Sequence, residues 1–185
     1  MNFHTSPNSL RNLMVCIDGS GHFPSPKVFS WKACSQIFTF PFFFLTDYAD
    51  KAFKEALNFA KQGDKIYLYN VPELVVAPMP HGGQDVPDYK VFMDDAKNYS
   101  REVLSKYENA AKSKGFEVEP ILGEQLGAAS IQIVDAVDKH KVDVLFLGSR
   151  GKNALQRFLI GSKSDYCAHH ANTTVVVVKD REAKK

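Results

Sequence analysis

Two short runs, residues 142–147 (VDVLFL) and 173–178 (TTVVVV), are apolar almost without a break, and they constrain the fold more than any other feature. A strand with one wet face alternates apolar and polar residues, whereas a continuously apolar strand is covered on both faces. Cover on both faces requires helices above and below a parallel sheet, so the rest of the chain must supply helices between strands. The periodicity does this. Residues 12–17 (NLMVCI) form an apolar strand running into the turn signal Asp18-Gly19-Ser20. From Ala49 the period changes: Ala49, Ala52, Phe53, Ala56, Leu57 and Ala60 recur at three and four, one face of a helix that Gly63 ends. Residues 65–71 (KIYLYNV) are rich in β-formers and stop at Pro72. Residues 72–88, with Pro72, Pro78, Pro80, Pro87 and Gly82-Gly83, read as a loop. A long helix follows, with Phe92, Ala96, Tyr99, Val103, Tyr107 and Ala110 on one stripe and Gly115 as its stop. Then come a strand (116–122), a helix (127–139, with Ile131, Val134 and Val137 aligned), the 142–147 strand, a short helix (164–171) and the 173–178 strand.

The order β-α-β-α-β-α-β-α-β, with right-handed crossovers, predicts a doubly wound parallel α/β sheet with helices on both faces. Such sheets bind ligands outside the carboxyl ends of their strands, where the strand order reverses. A chain of 185 residues suffices for one such domain, with its core at 11–179. A formal net charge of +2 argues for neither a nucleic-acid nor a membrane partner. The longest apolar stretch, residues 37–45, is nine residues long and broken by Thr39 and Pro41, far short of the ~20 a membrane span needs. Cys16, Cys34 and Cys167 cannot all pair within one chain and none sits in a CxxC, which suits a reducing compartment. Residues 1–14 lack the apolar core of a signal peptide, so a cytoplasmic location is expected.

The chemistry concentrates after the fourth strand. Leu147-Gly148-Ser149-Arg150-Gly151 leaves that strand, and nine residues beyond Gly151 come Gly161-Ser162-Lys163-Ser164, opening a helix. Gly148, Gly151 and Gly161 are expected to take positive φ and let the backbone approach a ligand closely. Amides at a helix start favour phosphate oxygens, Ser162 and Ser164 add hydroxyl donors, and one of them is expected to cap the helix. Arg150 and Lys163 can neutralise phosphate charge. The simplest alternative is that these glycines only shape turns.

At this point the sequence resembles the universal stress protein family. G-x2-G-x9-G-[ST] is that family's ATP-binding signature, and Gly148, Gly151, Gly161 and Ser162 match it. The following SDYCAHHANTTVVVVK is similar to the family's last helix and strand, especially in plant members. The first strand ending in Asp18-Gly-Ser, and the helix opening DYADKAFKEAL, are similar to its start. The resemblance implies an adenine nucleotide alpha hydrolase-like fold with five parallel strands in the order 3-2-1-4-5. It implies a homodimer formed through residues 173–178. It implies ATP or AMP, with or without Mg2+, lying across the strand ends. Carried over by position, Asp18 and the backbone of Ile17 and Val71 would meet the adenosine. Gly148, Arg150, Gly151, Gly161, Ser162 and Ser164 would meet ribose and phosphates, with Leu147 leading into the loop. Lys163 stands where the family usually has valine, and it either adds a phosphate contact or points to solvent.

Other residues carry less. His169 and His170 are adjacent, so they point to different helix faces, and no metal site is expected from them. Asp94-Asp95 open the long helix and are read as favouring its dipole rather than as a catalytic pair. No nucleophile–base pair and no Walker A lysine is visible, so no catalytic residue is assigned and any ATP hydrolysis is expected to be slow.

One segment does not fit. Residues 21–46 (GHFPSPKVFSWKACSQIFTFPFFFLT) interrupt a connection that normally takes about two to six residues. They hold seven of the fourteen phenylalanines and the only tryptophan. Removing them joins Ser20 to Asp47 as VCIDGSDYADKAFKEAL, a regular start for the family, with Asp47 as helix cap. We hypothesise that the segment is translated intron sequence. TFPFFFL would be encoded by a pyrimidine tract, Thr46-Asp47 can be written with a CAG acceptor, Gly21 with a GT donor, and 26 codons keep the frame. Transcripts that all retain the segment, in a gene without GT/AG boundaries there, would refute it. The competing reading is a lid or partner-binding loop. Three functions remain open at this stage: a nucleotide-binding stress or signalling module with an unknown protein partner; a slow ATPase or adenylyl-transferring enzyme on the same fold; or a non-binding isoform disabled by the insertion.

Overall fold

The computed structural model describes residues 10–17, 47–72, 89–124, 127–149 and 161–179. Five strands, β1 (Asn12–Cys16), β2 (Lys65–Asn70), β3 (Glu117–Leu122), β4 (Val144–Gly148) and β5 (Thr174–Val178), alternate with four helices. The helices are α1 (Asp47–Phe59), α2 (Tyr89–Lys112), α3 (Ala129–Lys139) and α4 (Ser162–His170). All described pairings are parallel and the sheet order is β3-β2-β1-β4-β5. The segment 21–46 and most of the proline-rich loop lie outside the described residues.

Strand alternation separates two cores. Leu13, Val15 and Ile17 join Ile66, Leu68, Val144 and Phe146 on one face, under Ala49, Ala52, Phe53 and Ala56 of α1 and Leu104, Tyr107 and Ala111 of α2. Met14 and Cys16 join Tyr67, Tyr69, Leu145 and Leu147 on the other, under Ile133, Ala136 and Val137 of α3 and Cys167 of α4. Both faces of β1 and β4 are thereby buried, which is why those runs read as continuously apolar. The helices have the stops expected of them: Gly63 and Gly115 take φ of 94° and 83°, a region closed to most side chains. Among the described residues no helix is long and apolar enough to cross a membrane.

Three details of the helices differ from the sequence expectation. On α3, Ile131 is 48% exposed, and the buried set is Ile133, Ala136 and Val137. Two successive i,i+3 steps on a helix turn about 120° away from the starting face, so Ile131 and Val137 cannot share a stripe. Among the described residues of α2 the buried ones are Ala96, Ser100, Leu104, Tyr107 and Ala111, and Ala110 is exposed, because the face on the core runs through Ser100, Leu104 and Ala111, about 100° round the helix from Ala110. Asp94 and Asp95 lie beyond the first turn of α2, which contains no acidic residue, so they do not face its positive end.

The amino edge of the sheet is clamped. The buried carboxylate of Asp64 accepts bonds from Arg11 Nη2 (2.6 Å), the Arg11 amide (3.1 Å) and the Lys61 amide (2.8 Å). Burial alone would raise the pKa of this carboxyl, but the Arg11 side chain and the two amides outweigh it and hold it below 3.8. The opposite, carboxyl edge carries the loops.

Candidate functional site

β1 and β4 are neighbours, and their onward connections leave toward opposite sides, to β2 and to β5. This reversal opens a crevice outside their carboxyl ends. On the β1 side, the Ile17 amide donates to Tyr69 O at 2.8 Å and its carbonyl accepts from Asn70 Nδ2 at 2.5 Å. On the β4 side, Gly148 lies in register with Val178, and the Ser149 amide donates to Val178 O at 2.8 Å.

Gly148 is required by space. A Cβ there would stand 2.7 Å from Tyr48 O and 2.9 Å from the Tyr48 carbonyl carbon. The first turn of α1 thus rests directly on the end of β4. The start of α4 is tied to the same point: Ser164, 3% exposed, directs its hydroxyl to Gly148 O at 3.4 Å. Gly161 occupies the N-cap, and its carbonyl accepts from the Asp165 amide at 2.8 Å. A helix start of this kind carries amides without an acceptor one turn earlier, which gives it a partial positive charge. Farther along α4, Cys167 is fully buried and points its thiol at Ser130 O. Burial pushes that thiol up to about 11, which keeps it in the protonated form at neutral pH.

The crevice therefore gathers Ile17, Gly148, Gly161 and Ser164, with Ser162 and Lys163 on the same turn of α4. Val71 follows Asn70 at the end of β2 and packs on the second core. The side chain of Leu147 lies in that core, so only its backbone borders the edge. Asp18, Arg150 and Gly151 lie outside the described residues. Two expectations are corrected. Neither Gly148 nor Gly161 has a positive φ; Gly161 is extended at φ −59°, ψ 149°, and Gly148 is needed for the contact with Tyr48. Neither serine caps α4, because the cap position falls on Gly161 and no side-chain cap bond forms.

Sequence reasoning did not single out three residues at this edge: Tyr48, Asn70 and Gly123. A Cβ on Gly123 would lie 2.9 Å from both Tyr69 Oη and Val71 Cγ2, so the β3–α3 connection crosses close over the end of β2. The Gln132 carboxamide holds that connection, accepting from the Glu124 amide (2.8 Å) and donating to Glu124 O (2.9 Å). The only signal in the sequence was a polar Asn at the end of an apolar strand. Among the described residues no group of three or more His, Cys, Asp and Glu could hold a metal. His169 and His170 are exposed; each places Nδ1 2.8 Å from the carbonyl four residues earlier, and His169 also lies 3.8 Å from the Asp165 carboxylate.

Strand order, parallel register and paired helical layers define a doubly wound α/β domain. The universal stress protein family model matches residues 45–179, a match that begins two residues before α1. A putative universal stress protein of Staphylococcus aureus is 30% identical over 138 residues, 72% of this chain and 78% of its own length. Among solved structures, the universal stress protein UspA from Lactobacillus plantarum superposes with TM-score 0.61 at 18% identity, covering 92% of this chain and 99% of its own. A universal stress protein family protein from Arabidopsis thaliana, solved with AMP bound, gives TM-score 0.58 at 20% identity, with 93% of each chain covered. The chain belongs to the universal stress protein family.

Proposed function

We propose that this protein binds an adenine nucleotide, ATP or AMP, across the β1–β4 crevice, and acts as a stress-response or signalling module rather than by turnover. One observation carries the reading: the start of α4 is fastened to the end of β4 through Ser164 and Gly148, on the strand next to β1. A helix N-terminus held at the reversal point of a doubly wound sheet suits phosphate oxygens. In this arrangement Gly161, Ser162, Lys163 and Ser164, with Arg150 and Gly151, hold ribose and phosphates. Ile17, Asp18 and Val71 hold the adenosine. The AMP bound to the Arabidopsis relative supports the ligand class. Mg2+ would accompany ATP as a phosphate counter-ion. Ser162, Lys163 and Ser164 on the first turn of α4 supply donors and a cation there, which suits phosphate binding.

We further propose one domain over 1–185 with 21–46 inserted between β1 and α1, a cytoplasmic location, and a homodimer joined along β5 and read by a protein partner. Isothermal titration with ATP and with AMP, with and without Mg2+, tests the ligand on the full chain and on a chain lacking residues 21–46. Saturable binding is expected. Binding by the shortened chain alone would mark the segment as the element that disables the site. Heat from neither chain overturns the reading.

A further inference from the structure

We propose that Asn70 is a positioning residue of the nucleotide site, ending the β1–β2 ladder so that the backbone of Ile17 and of Val71 faces the ligand. The proposal rests on the nucleotide reading above. Asn70 is the last residue of β2 and is 1% exposed. Its Nδ2 donates to Ile17 O at 2.5 Å, and its own carbonyl accepts from the Gly123 amide at 2.7 Å. One residue therefore links the carboxyl ends of three neighbouring strands.

The bond to Ile17 O is not the one a continuing sheet would make. In the β1–β2 pair the Ile17 amide donates to Tyr69 O, so the next rung of a parallel ladder would be the Val71 amide on Ile17 O. The Asn70 side chain meets that carbonyl instead, and β2 stops there. The side chain thus satisfies Ile17 O without drawing Val71 into the sheet. Ile17, whose carbonyl the clamp holds, and Val71, one residue beyond it on β2, are both among the positions proposed to meet adenosine.

The amide also carries a cost to the fold. Asn70 Oδ1 is buried and has no hydrogen-bond partner among the described residues. Turning the amide over would set two acceptors against each other at Ile17 O, so the donor must face that carbonyl. A branched apolar leucine would remove the orphaned Oδ1 but leave the buried Ile17 O without its donor. The polar side chain is accounted for by its donor and by the geometry it holds.

The test compares AMP binding by calorimetry and thermal unfolding for the full-length wild type, Asn70→Leu and Asn70→Asp. The leucine variant should remain folded and bind AMP about tenfold more weakly, because the adenosine contacts lose their spacing. The aspartate variant keeps the shape but turns an acceptor on Ile17 O at pH 8, and should be similarly weak. As pH falls, its buried carboxyl protonates and can donate again, so its affinity relative to wild type at the same pH should recover. A purely structural packing role predicts no such recovery. Wild-type affinity in both variants overturns the proposal and leaves the nucleotide reading intact. Failure of both variants to fold also overturns it, since the amide would then serve the fold alone. No AMP or ATP binding by wild type removes the nucleotide reading itself, and this proposal with it.

Discussion

Gly148 and Gly161 stand in one motif but serve different needs. Gly148 has the Tyr48 backbone 2.7 Å from where a Cβ would be, whereas Gly161 has an extended backbone open to other residues. Gly148→Ala should therefore push α1 off the end of β4, lowering stability by about 1–3 kcal/mol in urea unfolding and weakening nucleotide binding. The motif could be read from spacing, but the steric reason for Gly148 could not, because Tyr48 lies 100 residues away in sequence. Asp64 makes a second prediction at this scale. Its carboxyl is held below the ordinary value in the folded chain, so its contribution is full above about pH 4 and is lost as pH falls through the lowered pKa. Asp64→Asn should cost about 2–3 kcal/mol at pH 7 by leaving Arg11 half-buried without its partner. In urea titrations the gap between wild type and variant should close below pH 4.

At the scale of elements, periodicity and turn signals located all nine of the described elements. Its errors were at Ile131, where two i,i+3 steps turn off the stripe, and at Ala110, where the buried face is offset to Ser100, Leu104 and Ala111. The contact between helices was beyond periodicity altogether. Tyr107 of α2 donates its hydroxyl to Asp50 of α1 and sets its ring edge-on to Phe53, with centroids 4.9 Å apart. Burial first, and the Asp50 carboxylate next, push the Tyr107 phenol well above 10, so it remains a donor through neutral pH. Tyr107→Phe keeps the ring contact and loses the hydrogen bond, and should lower the unfolding free energy by about 1 kcal/mol with no change in nucleotide affinity.

For the whole molecule, β3 and β5 are the two edge strands of the described sheet, and β5 is the one proposed to join two copies. The Ser149 amide on Val178 O fixes which backbone groups face β4, and by strand alternation the Val177 amide faces outward. Val177→Pro removes that donor at a sheet edge, where proline is tolerated. If β5 joins two copies, light scattering after size exclusion should show this variant as a monomer while its circular dichroism stays that of the wild type. A wild-type chain that is itself monomeric at all concentrations would refute the dimer.

The sequence by itself determined the class of fold, the order of its elements and the family, because burial periodicity and glycine spacing are local and need no knowledge of distant contacts. It also marked Gly148, Gly161, Ser162 and Ser164 as one motif. Only the tertiary structure decided what those residues touch: Tyr48 against Gly148, Ser164 on Gly148 O, and Asn70 across to Ile17. These are contacts between elements far apart in the chain, set by how helices settle on a twisted sheet, and no local pattern encodes them.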